Sequence, residues 1–190
     1  MDPRVVQITS AAVVPEPELL TRVRAAASVP GFAVQLRDPE LPARALLALG
    51  ARLREAGAPI LVNDRLDLAL ALGAEGVHLG RRSVSVADAR ALLGPAAWVC
   101  VACHDLADAR RAAAEGADAV TLSPIFTSPG KGPPLGLDAI RAAVAALPPR
   151  VTILALGGVD ASNAAACRAA GARGVAVIRA DPRGVLDAFA

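Results

Sequence analysis

The sequence predicts an α/β chain folded as one compact (β/α)8 TIM barrel, and three observations predict it. Short apolar runs recur along the 190 residues, separated by segments in which Ala, Leu and Arg fall at helical spacing. The runs are apolar throughout instead of alternating, the pattern of strands covered on both faces. Four phrases, Glu55-Ala-Gly-Ala-Pro, Leu72-Gly-Ala-Glu-Gly, Glu115-Gly-Ala-Asp-Ala and Ala170-Gly-Ala-Arg-Gly, set a glycine at the end of a helical segment just before an apolar run. Eight βα units with right-handed crossovers close most simply into a barrel. A doubly wound open sheet is the alternative, but no G-x-G-x-x-G follows the first run. Without a Ser- or Pro-rich linker, residues 1–190 read as a single domain, shorter than the usual barrel of about 250 residues.

The runs are Val5 to Thr9, Phe32 to Leu36, Pro59 to Val62, Gly76 to Leu79, Trp98 to Ala102, Ala119 to Leu122, Thr152 to Leu156 and Gly174 to Ile178. Barrel chemistry sits on the loops that follow the strands, so the residues after each run carry the functional reading. Only Ser10 and small residues follow the first. After the second, Gln35-Leu-Arg37-Asp38-Pro39 points Gln35 and Arg37 the same way, either into the mouth or, for Arg37, onto Asp38. Asn63-Asp64-Arg65 follows the third; Asn or Asp here can cap a helix, or the pair can hold a substrate ring or a hydrated Mg²⁺. The fourth carries His78, which reads as a hydrogen-bonded core histidine, and leads to Arg81-Arg82-Ser83; Ser85 with Asp88 resembles a capping box.

The fifth run ends in Cys100-Val-Ala102-Cys103-His104, with Asp105 placed to cap the next helix. His104 stands at the mouth, where an imidazole titrating near neutral pH can move protons, and is the candidate catalytic residue. The sixth leads into the longest loop, rich in Gly and Pro, which carries Lys131, the only lysine, near Thr127 and Ser128. A flexible ammonium there suits a lid closing over a phosphate. Gly157-Gly158 follows the seventh run directly; two glycines can adopt positive φ and aim amide N–H groups at an anion, or can simply make a tight turn into a helix capped by Asp160 or Ser162. The eighth ends at Ile178 and Arg179.

Net charge of +2 with interspersed signs and an aromatic content of 2% argue against a nucleic-acid surface. Hydrophobic content is 54%, yet every apolar segment is broken well before the about 20 residues a membrane span needs. The N-terminus MDPRVVQITS lacks a basic region followed by an apolar run, so the expected location is the cytoplasm. Cys100, Cys103 and Cys167 read as small core fillers in preference to a redox or metal-binding set. Exposed Ala and Leu on the helices are suited to a homodimer.

Val6-Gln-Ile-Thr, Gln35-Leu-Arg37, Val62-Asn-Asp64-Arg, Gly76-Val-His-Leu-Gly80, Ser123-Pro-Ile-Phe126, Ala155-Leu-Gly-Gly-Val159 with Asn163, and Ala170-Gly-Ala-Arg-Gly-Val-Ala-Val177, in that order, resemble the thiamine phosphate synthase and TenI family of small (β/α)8 barrels. The resemblance spans nearly the whole chain. It implies a small-molecule thiazole phosphate as ligand. The synthase joins a pyrimidine pyrophosphate to the thiazole phosphate using Mg²⁺, and the TenI branch tautomerises the thiazole phosphate. The chain departs from the synthase pattern at Pro39, where a lysine is expected, at Ser83, where a second metal carboxylate is expected, and at Ala102 and Arg179, where serines are expected. Those losses fall on the pyrophosphate and metal half. The expectation is therefore a TenI-like thiazole tautomerase that needs no cofactor, with His104 as general acid and base. Gln35, Arg37, Asn63, Ser128, Lys131, Gly157, Gly158, Ile178 and Arg179 are its expected ligand contacts. One alternative is a synthase in which Asp64 holds Mg²⁺ and Arg37 the pyrophosphate; another is a catalytically silent barrel that binds a thiamine-related phosphate.

Overall fold

The computed structural model describes residues 1–190. Strands β1 (Val5–Ile8), β2 (Phe32–Leu36), β3 (Ile60–Asn63), β4 (Gly76–Leu79), β5 (Trp98–Cys103), β6 (Ala119–Leu122), β7 (Thr152–Leu156) and β8 (Gly174–Val177) alternate with helices. The helices are α1 (Glu16–Ala27), α2 (Ala43–Glu55), α3 (Leu66–Leu72), α4 (Val86–Leu93), α5 (Leu106–Ala114), α6 (Gly136–Ala146), α7 (Ala164–Ala169) and α8 (Pro182–Phe189). Each strand pairs in parallel with the next, and β1 returns to β8 through Val5↔Val175, Val6↔Ala176 and Gln7↔Val177. The sheet closes and leaves no edge, so the barrel forms and the open sheet does not.

The apolar runs locate every strand, with shifts only at ends. β1 stops at Ile8, although the Thr9 amide still donates to the Gln35 carbonyl at 3.0 Å. β3 begins at Ile60 and extends through Asn63, β5 extends through Cys103, and β8 stops at Val177. Period-two alternation then sorts the side chains. Val6, Ile8, Leu61, Trp98, Cys100, Ala119, Leu154 and Ala176 fill the barrel interior, while their neighbours Val5, Val62, Val77, Val99, Val120, Ile153 and Val175 pack against the helices. Because both sets are buried, the strands are apolar throughout.

The four expected return glycines, Gly57, Gly73, Gly116 and Gly171, have φ of 89°, 58°, 91° and 103°, the left-handed geometry that releases a chain from its helix. Asp105 caps α5 by accepting from the Asp108 amide at 2.7 Å, and Ser85 caps α4 by accepting from the Asp88 amide at 3.1 Å. Two expected caps fail. α7 starts late, at Ala164, so Asp160 instead closes a local turn onto the Ser162 amide and hydroxyl at 2.8 and 2.6 Å. Asp64 does not cap α3, whose boundary residue is Arg65, because its φ of 59° turns the side chain elsewhere.

All three cysteines are buried and free. Burial pushes the Cys103 thiol up to about 12 and Cys167 to about 11, with Cys100 also raised, so none is a thiolate at neutral pH, as core fillers should be. No helix is long and apolar enough to cross a membrane. Leu47, Leu70, Leu92 and Val144 are the large apolar side chains exposed on helices.

The floor of the barrel is the least tolerant point. Gly76 pairs with Trp98, and a Cβ there would lie 1.9 Å from the Trp98 carbonyl oxygen, a rigid backbone atom between two ladders. Gly76→Ala is expected to cost more than about 3 kcal/mol in urea unfolding, whereas Gly116→Ala, with left-handed φ but nothing within 4 Å, costs about 1 kcal/mol.

Candidate active site

The C-terminal ends of the strands open on a cavity of about 680 Å³, within the range of small-molecule sites. Its lining includes the candidate catalytic, ligand and metal residues Gln35, Arg37, Asn63, Asp64, His104, Ser128, Lys131, Gly157, Gly158, Ile178 and Arg179. Barrel closure brings them together from loops up to 144 residues apart in numbering, Gln35 and Arg179 being the extremes.

One side is a hydrogen-bonded polar chain. Asn63, at the end of β3, donates from Nδ2 to the Asp64 carboxylate at 2.7 Å, which leaves its Oδ1 to accept from Gln35 Nε2 at 3.0 Å and to face His78 Nδ1 at 3.3 Å. His78 Nδ1 therefore carries the proton, and Nε2 accepts from the Thr121 hydroxyl at 3.0 Å. Burial is the main cause lowering the His78 pKa to about 4; the nearby Asp64 charge opposes it and Arg37 adds to it. His78 is thus neutral at physiological pH and, as expected from sequence, is a structural histidine inside the barrel.

Asp64 sits where this chain meets the β4 loop. Its carboxylate accepts from Asn63 Nδ2, from the Gly80 amide at 3.1 Å and from the Ser83 hydroxyl. Three of the about four lone-pair positions of a carboxylate are then taken. No group of three or more His, Cys, Asp or Glu side chains in the chain could hold a metal ion.

The alternative pairing of Arg37 with Asp38 does not form. Asp38 turns inward, 6% exposed, and ties the first two loops together by accepting from the Ala11 amide at 2.7 Å and the Glu40 amide at 3.1 Å. The Thr9 hydroxyl pins the Arg37 backbone, accepting from its amide at 2.8 Å and donating to its carbonyl at 2.9 Å, while the guanidinium is left to the cavity.

The opposite side is built from main chain. Gly157 and Gly158 have φ of 96° and 66°, and Cβ atoms would fall 2.7 Å from Pro124 Cα and 2.6 Å from the Thr127 carbonyl oxygen, so both positions require glycine. The Ile125 and Phe126 amides stitch this turn to the β6 loop by donating to the Leu156 and Gly157 carbonyls, each at 2.9 Å. Asn163 Nδ2 takes the Gly158 carbonyl at 2.9 Å. On the β8 loop, Gln7 Nε2 donates to the Ile178 carbonyl at 2.9 Å and Arg22 to the Arg179 carbonyl at 2.8 Å. Carbonyls on both loops are thereby tied down, while the amides of Gly157, Gly158, Val159, Ile178, Arg179 and Ala180 donate to nothing in the chain. Adjacent loops after β7 and β8 with unspent N–H groups have the donors that an anion cradle needs.

Five cationic side chains line the cavity: Arg37, Arg81, Arg82, Lys131 and Arg179. None is ion-paired, although nine arginines elsewhere are. Only Asp64 and Asp160 oppose them in the lining, so the mouth is strongly electropositive. Arg81 and Arg82 were not among the expected contacts; their place directly after a strand run is the signal that marks them. Thr121, inside β6, is likewise new to the site. His104 lines the mouth with Nδ1 donating to the Ser123 carbonyl at 2.9 Å, which in the neutral imidazole leaves Nε2 as the acceptor.

Sequence comparison points to one family. A family profile described as thiamine monophosphate synthase matches residues 5–180. A thiamine-phosphate synthase of Gloeobacter violaceus is 44% identical over 87% of this chain and 50% of its own length, so this chain spans about half of that relative. One from Methanoculleus marisnigri is 46% identical over 83% of this chain and 77% of its own. Among solved structures, a thiamine phosphate pyrophosphorylase from Pyrococcus furiosus superposes with a TM-score of 0.83 at 28% identity, covering 99% of this chain and 94% of that one. These relatives bear the synthase's name, and they overturn the tautomerase expectation. The expectation counted Pro39 and Ser83 as losses and left out Arg81 and Arg82, which line the cavity.

The neutral, buried His78 gives stability a pH signature. Its folded pKa lies below its unfolded value, so the unfolded state binds more protons between about pH 6.5 and 4, and stability is lost as pH falls through that window. The loss attributable to His78 is expected to reach about 3 kcal/mol by pH 4, measured as the difference in urea-unfolding free energy between wild type and His78→Gln across pH 7 to 4.

Proposed function

Since the chain belongs to the thiamine monophosphate synthase family, we propose that it joins a pyrimidine diphosphate to a thiazole phosphate, forming thiamine phosphate and releasing diphosphate. One observation carries the reading. Unpaired arginines line the cavity on the β2 to β4 side and undonated amides face it on the β7 and β8 side, and in an eight-stranded ring β3 and β7 lie opposite one another. A proton shift on one phosphorylated ring needs one such wall, whereas joining two phosphorylated substrates needs two.

The free amides after β7 and β8 would hold the thiazole phosphate, with Arg179 and Ser128 beside them and Lys131 closing from the β6 loop. Arg37 and the Asp64 region would hold the diphosphate. Mg²⁺ fits there, because it is commonly bound through one or two carboxylates together with substrate phosphate oxygens and its own waters, and Asp64 keeps one lone-pair position for it. When bound, the ion would neutralise charge on the departing diphosphate. The remaining work belongs to the chain. Asn63 spends its amide on Gln35, His78 and Asp64, so it positions the others; Gln35, with its Nε2 committed, presents Oε1 to donors on the pyrimidine ring. His104 Nε2 can accept a substrate hydrogen bond between the two walls, and Ile178 supplies an apolar ring contact. The partners are small molecules and the setting is the cytoplasm.

Incubated with both phosphorylated substrates and Mg²⁺, the chain is expected to yield thiamine phosphate and diphosphate in equal amounts, followed by chromatography; no coupled product at saturating substrate would overturn the reading. Lys131→Ala should lower kcat/KM by about 10- to 100-fold, the loss of one charge-assisted hydrogen bond to phosphate, with Tm unchanged.

A further inference from the structure

Arg81 and Arg82 occupy the two central positions of a fastened turn. The Ser83 amide donates to the Gly80 carbonyl at 3.2 Å, the Gly80 amide donates back to Ser83 Oγ at 2.6 Å, and both Gly80 and the Ser83 hydroxyl donate to the Asp64 carboxylate. The turn is thus locked at both ends to the residue that faces the diphosphate, and its tip carries two adjacent guanidinium groups that line the cavity. Neither enters an ion pair or donates a side-chain hydrogen bond. Like charges on neighbouring residues repel, and the arrangement becomes favourable when an anion of high charge lies between them. Two guanidiniums carry the charge of one divalent cation and offer paired N–H donors that match phosphate oxygens. The fastening that holds the turn also consumes most of Asp64's acceptor capacity, and there is no cluster of further ligating side chains to strengthen a metal site.

We propose that the Arg81-Arg82 turn is a diphosphate clamp that shares the neutralising role of the divalent ion, so that this chain binds diphosphate without Mg²⁺. The proposal rests on the synthase reading for the identity of the anion. It makes Mg²⁺ an enhancer of affinity here instead of a condition for binding.

Isothermal titration of the whole chain with inorganic diphosphate in EDTA tests it. Wild type is expected to bind, Arg81→Ala with Arg82→Ala to bind about 100-fold more weakly, at about tenfold per guanidinium, and the double Lys variant to fall between. Arg110→Ala, an exposed arginine on α5 outside the cavity, should match wild type and controls for bulk charge. Thermal melts check that the double variant is folded, which its exposed turn position favours. Undetectable diphosphate binding by wild type in EDTA, or binding unaffected by the double Ala substitution, would overturn the clamp. Coupling in the presence of Mg²⁺ separates the two conclusions: coupling without EDTA-resistant diphosphate binding removes the clamp and leaves the synthase, while clamp-dependent binding without coupling removes the synthase and leaves the clamp.

Discussion

A histidine that has to stay uncharged holds the mouth of this barrel in register. His78 lies inside the ring with Thr121 on one nitrogen and Asn63 on the other. Because the Asn63 amide is oriented at its other end by the Asp64 carboxylate, which can only accept, a single proton arrangement runs from β6 through β4 and β3 to Gln35 on β2. Burial keeps the imidazole neutral, and neutrality lets Nε2 accept from the Thr121 hydroxyl, the one bond of the chain that protonation would reverse. Side chains from four strands are thereby fixed before any ligand arrives, which is what a site must do to orient two reactants.

The two walls solve different electrostatic problems with different materials. The β7 and β8 wall is rigid main chain, its carbonyls tied back by Gln7, Arg22, Asn163 and Phe126 so that the amides are left unspent. Such amides offer directional dipoles, which suit one phosphate monoester held in a constant pose. The β2 to β4 wall is made of long cationic side chains around a single carboxylate. Mobile full charges suit a group whose charge grows as it leaves. Keeping five cations unpaired is unfavourable in the free protein, and entry of phosphate oxygens into the cavity would offset that cost.

Much of the architecture was legible because parallel strands buried on both faces must be apolar throughout and because helices that return to a strand need a left-handed exit. Those two rules located all eight strands and the glycines at 57, 73, 116 and 171. Caps were less legible. Asp105 and Ser85 obey the rule, but Asp64 spends its carboxylate on the β4 loop and Asp160 on a local turn with Ser162, since a carboxylate goes to whichever donors the fold presents. The same limit explains the function. Judged position by position against the family pattern, Pro39 and Ser83 read as losses; only in space do Arg81 and Arg82 face the cavity together with Arg37 and Asp64.

What the sequence determined by itself was the barrel, the end of it that works, and a set of mouth residues, all of them consequences of local periodicity and of where polar groups follow apolar runs. What the tertiary structure decided was which polar groups are spent and which are free: Asp38 and Asn63 are consumed by internal hydrogen bonds, while Arg37, Arg81, Arg82 and six backbone amides are left for ligands. That distinction depends on distances between strands remote in the chain, and hydrogen bonding is too short-ranged for residue order alone to reveal it.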